Sequence, residues 1–119
     1  MKNEYVTIFQ SENVPLDVTF LVLPGASIMC VASAIDPLRA ANRIAGEQLY
    51  RWTIVSPDGT DPITTSGLPV AVSAKFDPNA RHEVLIIIAG FGTKPYFSTR
   101  FSFFYYLFIV SNFFKIAQW

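Results

Sequence analysis

The stretch DVTFLVLPGASIMCVASAIDPLRAANRIAG, residues 17–46, decides the fold of this chain. It starts with an apolar run at residues 18–23, breaks at Pro24-Gly25, and continues with apolar residues at helical spacing over residues 28–45. A buried strand that turns sharply into a helix is the opening unit of a parallel α/β sheet. Because ligands of such sheets bind beyond the carboxyl ends of the strands, we expect this turn to form one wall of a crevice.

The helical part of the stretch has a recognisable start, end and buried face. Ser27 is a candidate N-cap, because its hydroxyl can accept a free backbone N–H, and Gly46 is a candidate left-handed C-cap. Pro37 has no N–H to donate, so we expect the helix to kink there or to restart with Asp36 as its cap. The residues expected to face the core step by three and four positions; they are Ile28, Val31, Ile35 and Leu38.

Two further runs predict the neighbouring strands. Residues 50–56, YRWTIVS, are rich in aromatic and β-branched side chains, and residues 84–89, VLIIIA, are apolar throughout. Between them, residues 63–72 fit either a small hairpin or a looping excursion. The second run ends at Gly90-Phe91-Gly92, which predicts a second flexible turn at a strand's carboxyl end.

Net charge and cysteine content exclude several kinds of protein and site. The chain has 119 residues and a formal net charge of zero, so bulk charge does not attract it to nucleic acid or to an anionic membrane. Its single cysteine, Cys30, excludes an internal disulfide and a multi-cysteine zinc site. The first residues lack the order of a signal peptide, and a reducing cytoplasm is therefore the expected compartment.

The pattern divides the chain into three parts. Residues 1–16 have no clear period and are interpreted as a leader, and residues 17–92 form the α/β domain. Residues 93–119 differ in character, because seven of the 11 phenylalanines lie from Phe97 onward and no Gly, Pro, Asp or Glu occurs there. Within this Phe-rich tail, the uncharged stretch between Arg100 and Lys115 is shorter than the roughly 20 residues that a membrane-spanning helix needs.

The order of four motifs resembles a known family. The motifs are LPGASIMCVASAIDPLRAANRIAG, YRWTIVSPDG, TSGLPV and HEVLIIIAGFG, and the resemblance covers about residues 17–92. They resemble the ThiJ/PfpI superfamily, the class I glutamine amidotransferase-like fold, in the version that forms the amino-terminal domain of AraC-family transcriptional regulators of the GlxA type. The resemblance implies a flavodoxin-like α/β fold, a three-layer sandwich with a parallel sheet, that is usually dimeric. We expect the sheet of this chain to be incomplete.

The resemblance also implies where catalytic residues would lie. In the family's enzymes a nucleophilic cysteine follows the strand equivalent to residues 84–89, and an acidic residue on the first helix assists it. Cys30 is the sole cysteine of this chain, and an ungapped alignment from Pro24-Gly25 puts it where the enzymes carry the acid. We therefore expect no catalytic residue, metal or cofactor. Cys30 is interpreted as a small buried hydrophobic residue and His82 as a solvated loop residue.

The functional prediction is a non-catalytic sensor or dimerisation domain of an AraC-family regulator. The candidate ligand-binding residues are Gly25, Ala26, Ser27, Cys30, Gly90 and Phe91. The expected partners are a small-molecule effector and a second copy of the chain, with no specific DNA binding by this chain alone and no membrane. Two alternatives stay open: a fragment of an amidase or hydrolase of the same superfamily, and a non-functional product truncated or frame-shifted after about residue 92.

Overall fold

The computed structural model describes residues 15–90, which form a parallel sheet with one helix on one of its faces. The elements are β1 at Leu16–Val22, α1 at Ile28–Ala45, β2 at Tyr50–Ser56, β3 at Ala74–Lys75 and β4 at Val84–Ile88. The strand order is β3-β2-β1-β4, and every pairing is parallel. The predicted α/β class with a parallel sheet is confirmed, and all three predicted strands are present.

Some expectations fall on parts of the chain that the structure does not describe. The leader up to residue 14, Phe91 and the Phe-rich tail lie outside the described residues. The truncation or frame shift expected after about residue 92 therefore stays a prediction. Within residues 15–90, the one helix is too polar or too short to pass through a bilayer.

β1 is the central strand of the sheet. Its register places Phe20 beside Ile54 of β2 and beside Ile86 of β4. Phe20 and Val22 pack in the same buried cluster as Val31 of α1, so the even-numbered residues of β1 face the helix. Phe20, Leu21 and Val22 are all fully buried although successive side chains point to opposite faces, and this burial on both faces explains the nearly continuous apolar run.

α1 is one helix from Ile28 to Ala45 with Pro37 inside it, so the expected restart at Asp36 is wrong. Pro37 removes one backbone hydrogen bond, but its ring lies on the exposed side of the helix. Val31 and Leu38, before and after Pro37, both pack against the buried cluster and hold the two halves on the sheet. Tertiary contacts on both sides of Pro37 thus outweigh its local preference.

The two ends of α1 differ from each other in how they are capped. Ser27 occupies the N-cap position with an extended backbone, but its hydroxyl makes no capping hydrogen bond, so this detail of the prediction is wrong. Gly46 is left-handed, with φ of 70°, and its N–H donates to the carbonyl oxygen of Asn42 at 3.0 Å. The predicted glycine C-cap is confirmed.

The Asn42 side chain ties the end of α1 to the start of β2. Its Nδ2 donates to the carbonyl oxygen of Tyr50 at 2.8 Å, and its Oδ1 accepts the backbone N–H groups of Leu49 and Tyr50, both at 2.9 Å. The amide group therefore occupies the hydrogen-bonding positions that a further strand would take beside Tyr50.

Replacing Asn42 with alanine should lower the free energy of unfolding by about 2–3 kcal/mol, because three partly buried hydrogen bonds of about 1 kcal/mol each are lost. Urea unfolding followed by circular dichroism measures the change. Gln48→Ala, an exposed change in the same connection, is the control and should stay within about 0.5 kcal/mol of the wild type. Equal effects of the two substitutions would contradict the role given to Asn42.

The connection between β2 and β3 folds back on itself. One isolated antiparallel bridge joins Ile63 and Pro69, which is the contact of the small hairpin that the sequence allowed, reduced to its minimum. Thr64 closes the loop, because its N–H and its hydroxyl both donate to the carbonyl oxygen of Leu68, at 3.0 and 2.8 Å. The loop thereby forms a compact unit that can pack against the end of β1.

An exposed ion pair joins β1 and β2 at their amino ends. Asp17 and Arg51 are register partners, and the Arg51 Nε and a terminal guanidinium nitrogen donate to the two carboxylate oxygens at 2.6 and 2.7 Å. Hydrogen bonding from Arg51 lowers the pKa of Asp17 below its ordinary value of 3.8. This pairing was not predicted from the sequence, because the two residues lie 34 positions apart.

The lowered pKa of Asp17 gives a stability contribution with a defined pH window. The contribution is fully present above the ordinary pKa of 3.8 and disappears as the pH falls through the lower pKa of the folded state. The difference in unfolding free energy between wild type and Asp17→Asn should therefore be constant from about pH 7 to about pH 5 and shrink in stronger acid. Urea titrations across this range measure it, and a difference that grows in acid would contradict the assignment.

Candidate functional site

The chain turns tightly after β1, with Gly25 in the left-handed conformation. Leu23 continues the pairing of β1 with β4, since its N–H donates to the carbonyl oxygen of Ile88 at 3.0 Å. Gly25 then takes a φ of 81°, which a residue with a side chain rarely adopts. The N–H of Ala26 returns to the carbonyl oxygen of Leu23 at 3.1 Å, and Ala26 is fully buried. α1 therefore starts directly above the end of β1.

Gly90, which follows β4, lies against the turn after β1. A Cβ atom added to Gly90 would lie 2.2 Å from the carbonyl oxygen of Gly25 and 3.2 Å from the Cα of Ala26. The approach leaves no room for a side chain at position 90. The expectation that the two apolar strands end side by side is confirmed, and four of the candidate ligand residues (Gly25, Ala26, Ser27 and Gly90) belong to the adjoining segments.

The loop between β2 and β3 forms backbone hydrogen bonds with the turn after β1. The N–H of Gly25 donates to the carbonyl oxygen of Ile63 at 2.9 Å, and the carbonyl oxygen of Ala26 accepts the N–H of Thr65 at 3.1 Å. Neither Gly25 nor Ala26 therefore keeps a free N–H for an anion. Among residues 15–90, the Ser27 hydroxyl and the N–H groups of the first turn of α1, which helix geometry leaves unpaired, are donors available at this end.

Cys30 is exposed, so its interpretation as a buried residue is wrong. The neighbouring residue Val31 points into the core, and a rotation of about 100° per residue turns Cys30 away from it. Met29 on the same first turn is 78% exposed. The thiol is therefore accessible at the start of α1, on the side that faces away from the sheet.

Accessibility predicts that Cys30 reacts with a small alkylating reagent in the folded protein. We expect the rate at neutral pH to lie within about threefold of the rate in denaturant, because burial does not protect the thiol. Mass spectrometry of time points measures both rates. Protection by a factor of a hundred or more in the folded chain would show that the thiol is covered.

His82 is half-buried and hydrogen-bonded, so its interpretation as a solvated residue is wrong. Its Nδ1 lies 3.0 Å from the Thr19 hydroxyl, its Nε2 lies 3.1 Å from the carbonyl oxygen of Asp77, and its ring stacks on Phe76. Because a carbonyl oxygen only accepts, Nε2 carries a proton, and in the neutral ring Nδ1 then accepts from Thr19. His82 thus fastens the connection before β4 to the sheet, a role that no local pattern indicates.

The described residues form no metal-binding cluster of the usual kind. Within residues 15–90 there is no cluster of three His, Cys, Asp or Glu side chains that could bind a metal ion. The hydrogen bonds of His82 join it to a threonine hydroxyl and a backbone carbonyl, not to a nucleophile.

Known proteins similar to this chain are regulators of transcription. It is 40% identical over 75 residues to the HTH-type transcriptional regulator CdhR of Pseudomonas aeruginosa, an alignment that covers 63% of this chain and 22% of that protein. It is 35% identical over 80 residues to the regulator GbdR of the same species, with 67% and 22% covered. The regulator GlxA of Rhizobium meliloti is 35% identical over 72 residues, with 60% and 22% covered.

A solved structure agrees with these relatives. The crystal structure of an AraC family transcriptional regulator from Pseudomonas putida matches with a TM-score of 0.58 and 25% identity, over 66% of this chain and 42% of that one. No protein-family model matches the chain. The chain spans about a fifth of the length of the curated relatives it matches.

Proposed function

We propose, on the premise that the homologues of this chain are HTH-type regulators of the CdhR, GbdR and GlxA type, that it supplies a non-catalytic, effector-sensing domain that pairs with a second copy. The observation that carries the proposal is the homology of this chain to transcriptional regulators over alignments of 72 to 80 residues. The sole cysteine supports it, because Cys30 lies on the first turn of α1 and not after β4, where a nucleophile of the family's enzymes would be.

The effector would bind where β1 and β4 end. The residues proposed to contact it are Gly25, Ala26, Ser27, Cys30, Gly90 and Phe91. Support comes from the contact of Gly90 with the turn after β1 and from the general position of ligands in parallel sheets. Because the N–H groups of Gly25 and Ala26 are already bonded, the Ser27 hydroxyl and the first turn of α1 would supply the polar contacts. These donors favour an effector that carries a hydrogen-bond acceptor at one end.

Isothermal titration calorimetry against a panel of small nitrogenous metabolites tests the proposed binding. A binder should lose at least about tenfold in affinity with Ser27→Ala, because one hydroxyl contact of about 1.4 kcal/mol is removed. Ser33→Ala is the matched control, since Ser33 lies on α1 one and a half turns further on and bonds to the carbonyl oxygen of Cys30. Failure of every compound to bind would count against the sensing function.

The proposed partner is a second copy of this chain. Analytical ultracentrifugation over a range of concentrations should show a dimer, and a monomer at all concentrations would contradict the pairing. The 119-residue chain is not expected to bind operator DNA, because its formal net charge of zero provides no attraction to phosphates. A salt-sensitive gel shift with operator DNA would contradict that expectation. The proposed location is the cytoplasm, where a regulator reaches DNA.

The competing function is that of an amidase or hydrolase of the same superfamily. It requires a nucleophile, and Cys30 is the one thiol in the sequence. Turnover of an amide or ester substrate that disappears in Cys30→Ala would favour the enzyme. Absence of turnover in both wild type and variant supports the non-catalytic function.

A further inference from the structure

A shallow groove of about 350 Å³ lies along the outer edge of β2, away from the turns after β1 and β4. Six residues line it: Trp52, Thr53, Ile54, Ala71, Val72 and Ser73. No ionisable side chain is among them. The volume is within the range of small-molecule sites in proteins, and the lining is mostly apolar.

One wall of the groove is a strand edge with an open position. Even-numbered residues of β2 direct their backbone groups outward, away from β1. Tyr50 is paired by the Asn42 side chain, and the carbonyl oxygen of Ile54 accepts the N–H and the hydroxyl of Ser73 at 2.9 and 3.2 Å. Between them, the outward N–H and C=O of Trp52 have no hydrogen-bond partner in the described part of the chain.

The opposite wall is formed by residues 70–72, which lie just before β3 and belong to no strand of the sheet. Val70 donates its N–H to the carbonyl oxygen of Pro62 at 2.9 Å, and Val72 donates to the Asp61 carboxylate at 3.0 Å, both on the side away from β2. The alternation of an extended chain then turns the backbone groups of Ala71 towards β2. Within residues 15–90 these groups also reach no hydrogen-bond partner.

The two walls therefore miss one rung of a parallel ladder. A continued ladder would join the Ile54 N–H to the Ala71 carbonyl oxygen and the Ala71 N–H to the Trp52 carbonyl oxygen. The bonds to residues 61 and 62 hold the segment off, so donors and acceptors face each other across a gap. The gap is short, because both backbone groups of Tyr50 are paired on one side of it and the carbonyl oxygen of Ile54 is paired on the other, which leaves the Ile54 N–H open towards Ala71.

We propose that this groove binds a small neutral molecule with an amide group, which completes the missing rung. The amide N–H donates to the carbonyl oxygen of Trp52 or Ala71, and the amide carbonyl accepts the N–H of Ile54 or Ala71. Apolar parts of the molecule contact the lining residues. The lack of ionisable lining residues selects a neutral ligand, and the single open rung excludes a strand from a second copy. The site is separate from the effector site proposed above and does not depend on it.

N-acetylglycinamide is a suitable probe, and its fully N-methylated analogue, which lacks every N–H donor, is the matched control. Titration of the ¹⁵N-labelled chain followed by NMR should give saturable shifts of the backbone amides of Trp52, Ile54 and Ala71. The methylated analogue should bind at least about tenfold more weakly, because it cannot donate to the carbonyl oxygens of the groove.

A pair of variants locates the site. Ala71→Phe fills the groove and should abolish the saturable shifts, whereas Ala32→Phe, at an exposed position of α1, should leave them unchanged. Shifts of wild type that do not saturate, or equal binding of the two probes, would overturn the proposal. The comparison of the two probes needs only the wild-type chain. It therefore tests the proposed amide binding even if Ala71→Phe fails to fold.

Discussion

Replacement of Gly90 by alanine should destabilise the chain by about 3 kcal/mol, because the added methyl group meets backbone and not a movable side chain. The new Cβ would lie 2.2 Å from the carbonyl oxygen of Gly25, far inside contact distance. Either the turn after β1 or the end of β4 must move. We therefore expect both lower stability in urea and weaker effector binding in calorimetry.

Gly67→Ala provides the comparison for Gly90→Ala. Gly67 has a φ of 85°, but an added Cβ would meet nothing within 4 Å. Its cost is therefore limited to the strain of a left-handed residue, about 1–2 kcal/mol. If Gly90→Ala costs no more than Gly67→Ala, Gly90 does not lie against the turn after β1 as described.

The second large effect is expected at Phe20. This side chain is 0% exposed at the centre of β1, and its register neighbours are Ile54 on β2 and Ile86 on β4. Phe20→Ala should lower the unfolding free energy by about 4 kcal/mol, through lost apolar burial and the cavity left behind. Such a loss is a large fraction of the stability of a small domain, so the variant should unfold at much lower urea concentration.

Ile44→Ala is the control for Phe20→Ala. Ile44 is 87% exposed on α1, so its truncation should change the unfolding free energy by no more than about 0.5 kcal/mol. Similar losses for the two substitutions would show that the buried cluster around β1 does not dominate stability.

The strands and the helix were predictable because their signals are local. β1 and β4 are apolar runs that end at glycine-containing turns, and α1 has helical spacing up to Gly46. The order of strand, turn and helix then sufficed to predict parallel strands that end side by side. The backbone hydrogen bond from Leu23 to Ile88 joins the two strands at these ends, as that arrangement requires.

The remaining features depend on contacts between distant residues. Pro37 stays inside α1 because the sheet holds the helix on both sides of it, and no helix rule contains that information. His82 was misjudged because Thr19, its partner, lies 63 residues earlier. The open rung at Trp52 depends on how residues 61 and 62 hold the opposite wall. Exposure of Cys30 was the local error, since its place next to Val31 already indicated an outward direction.

The proposed effector site requires that β1 and β4 lie side by side, run in the same direction and open one crevice at their glycine-containing ends. NMR measures this most directly, through cross-strand nuclear Overhauser effects between β1 and β4 and through hydrogen exchange at Leu23. We expect contacts in the parallel register of Val22 with Ile88, and a slowly exchanging Leu23 N–H, because it is bonded to the carbonyl oxygen of Ile88. An antiparallel pattern of contacts, or a Leu23 N–H that exchanges as fast as an unfolded peptide, would contradict the account.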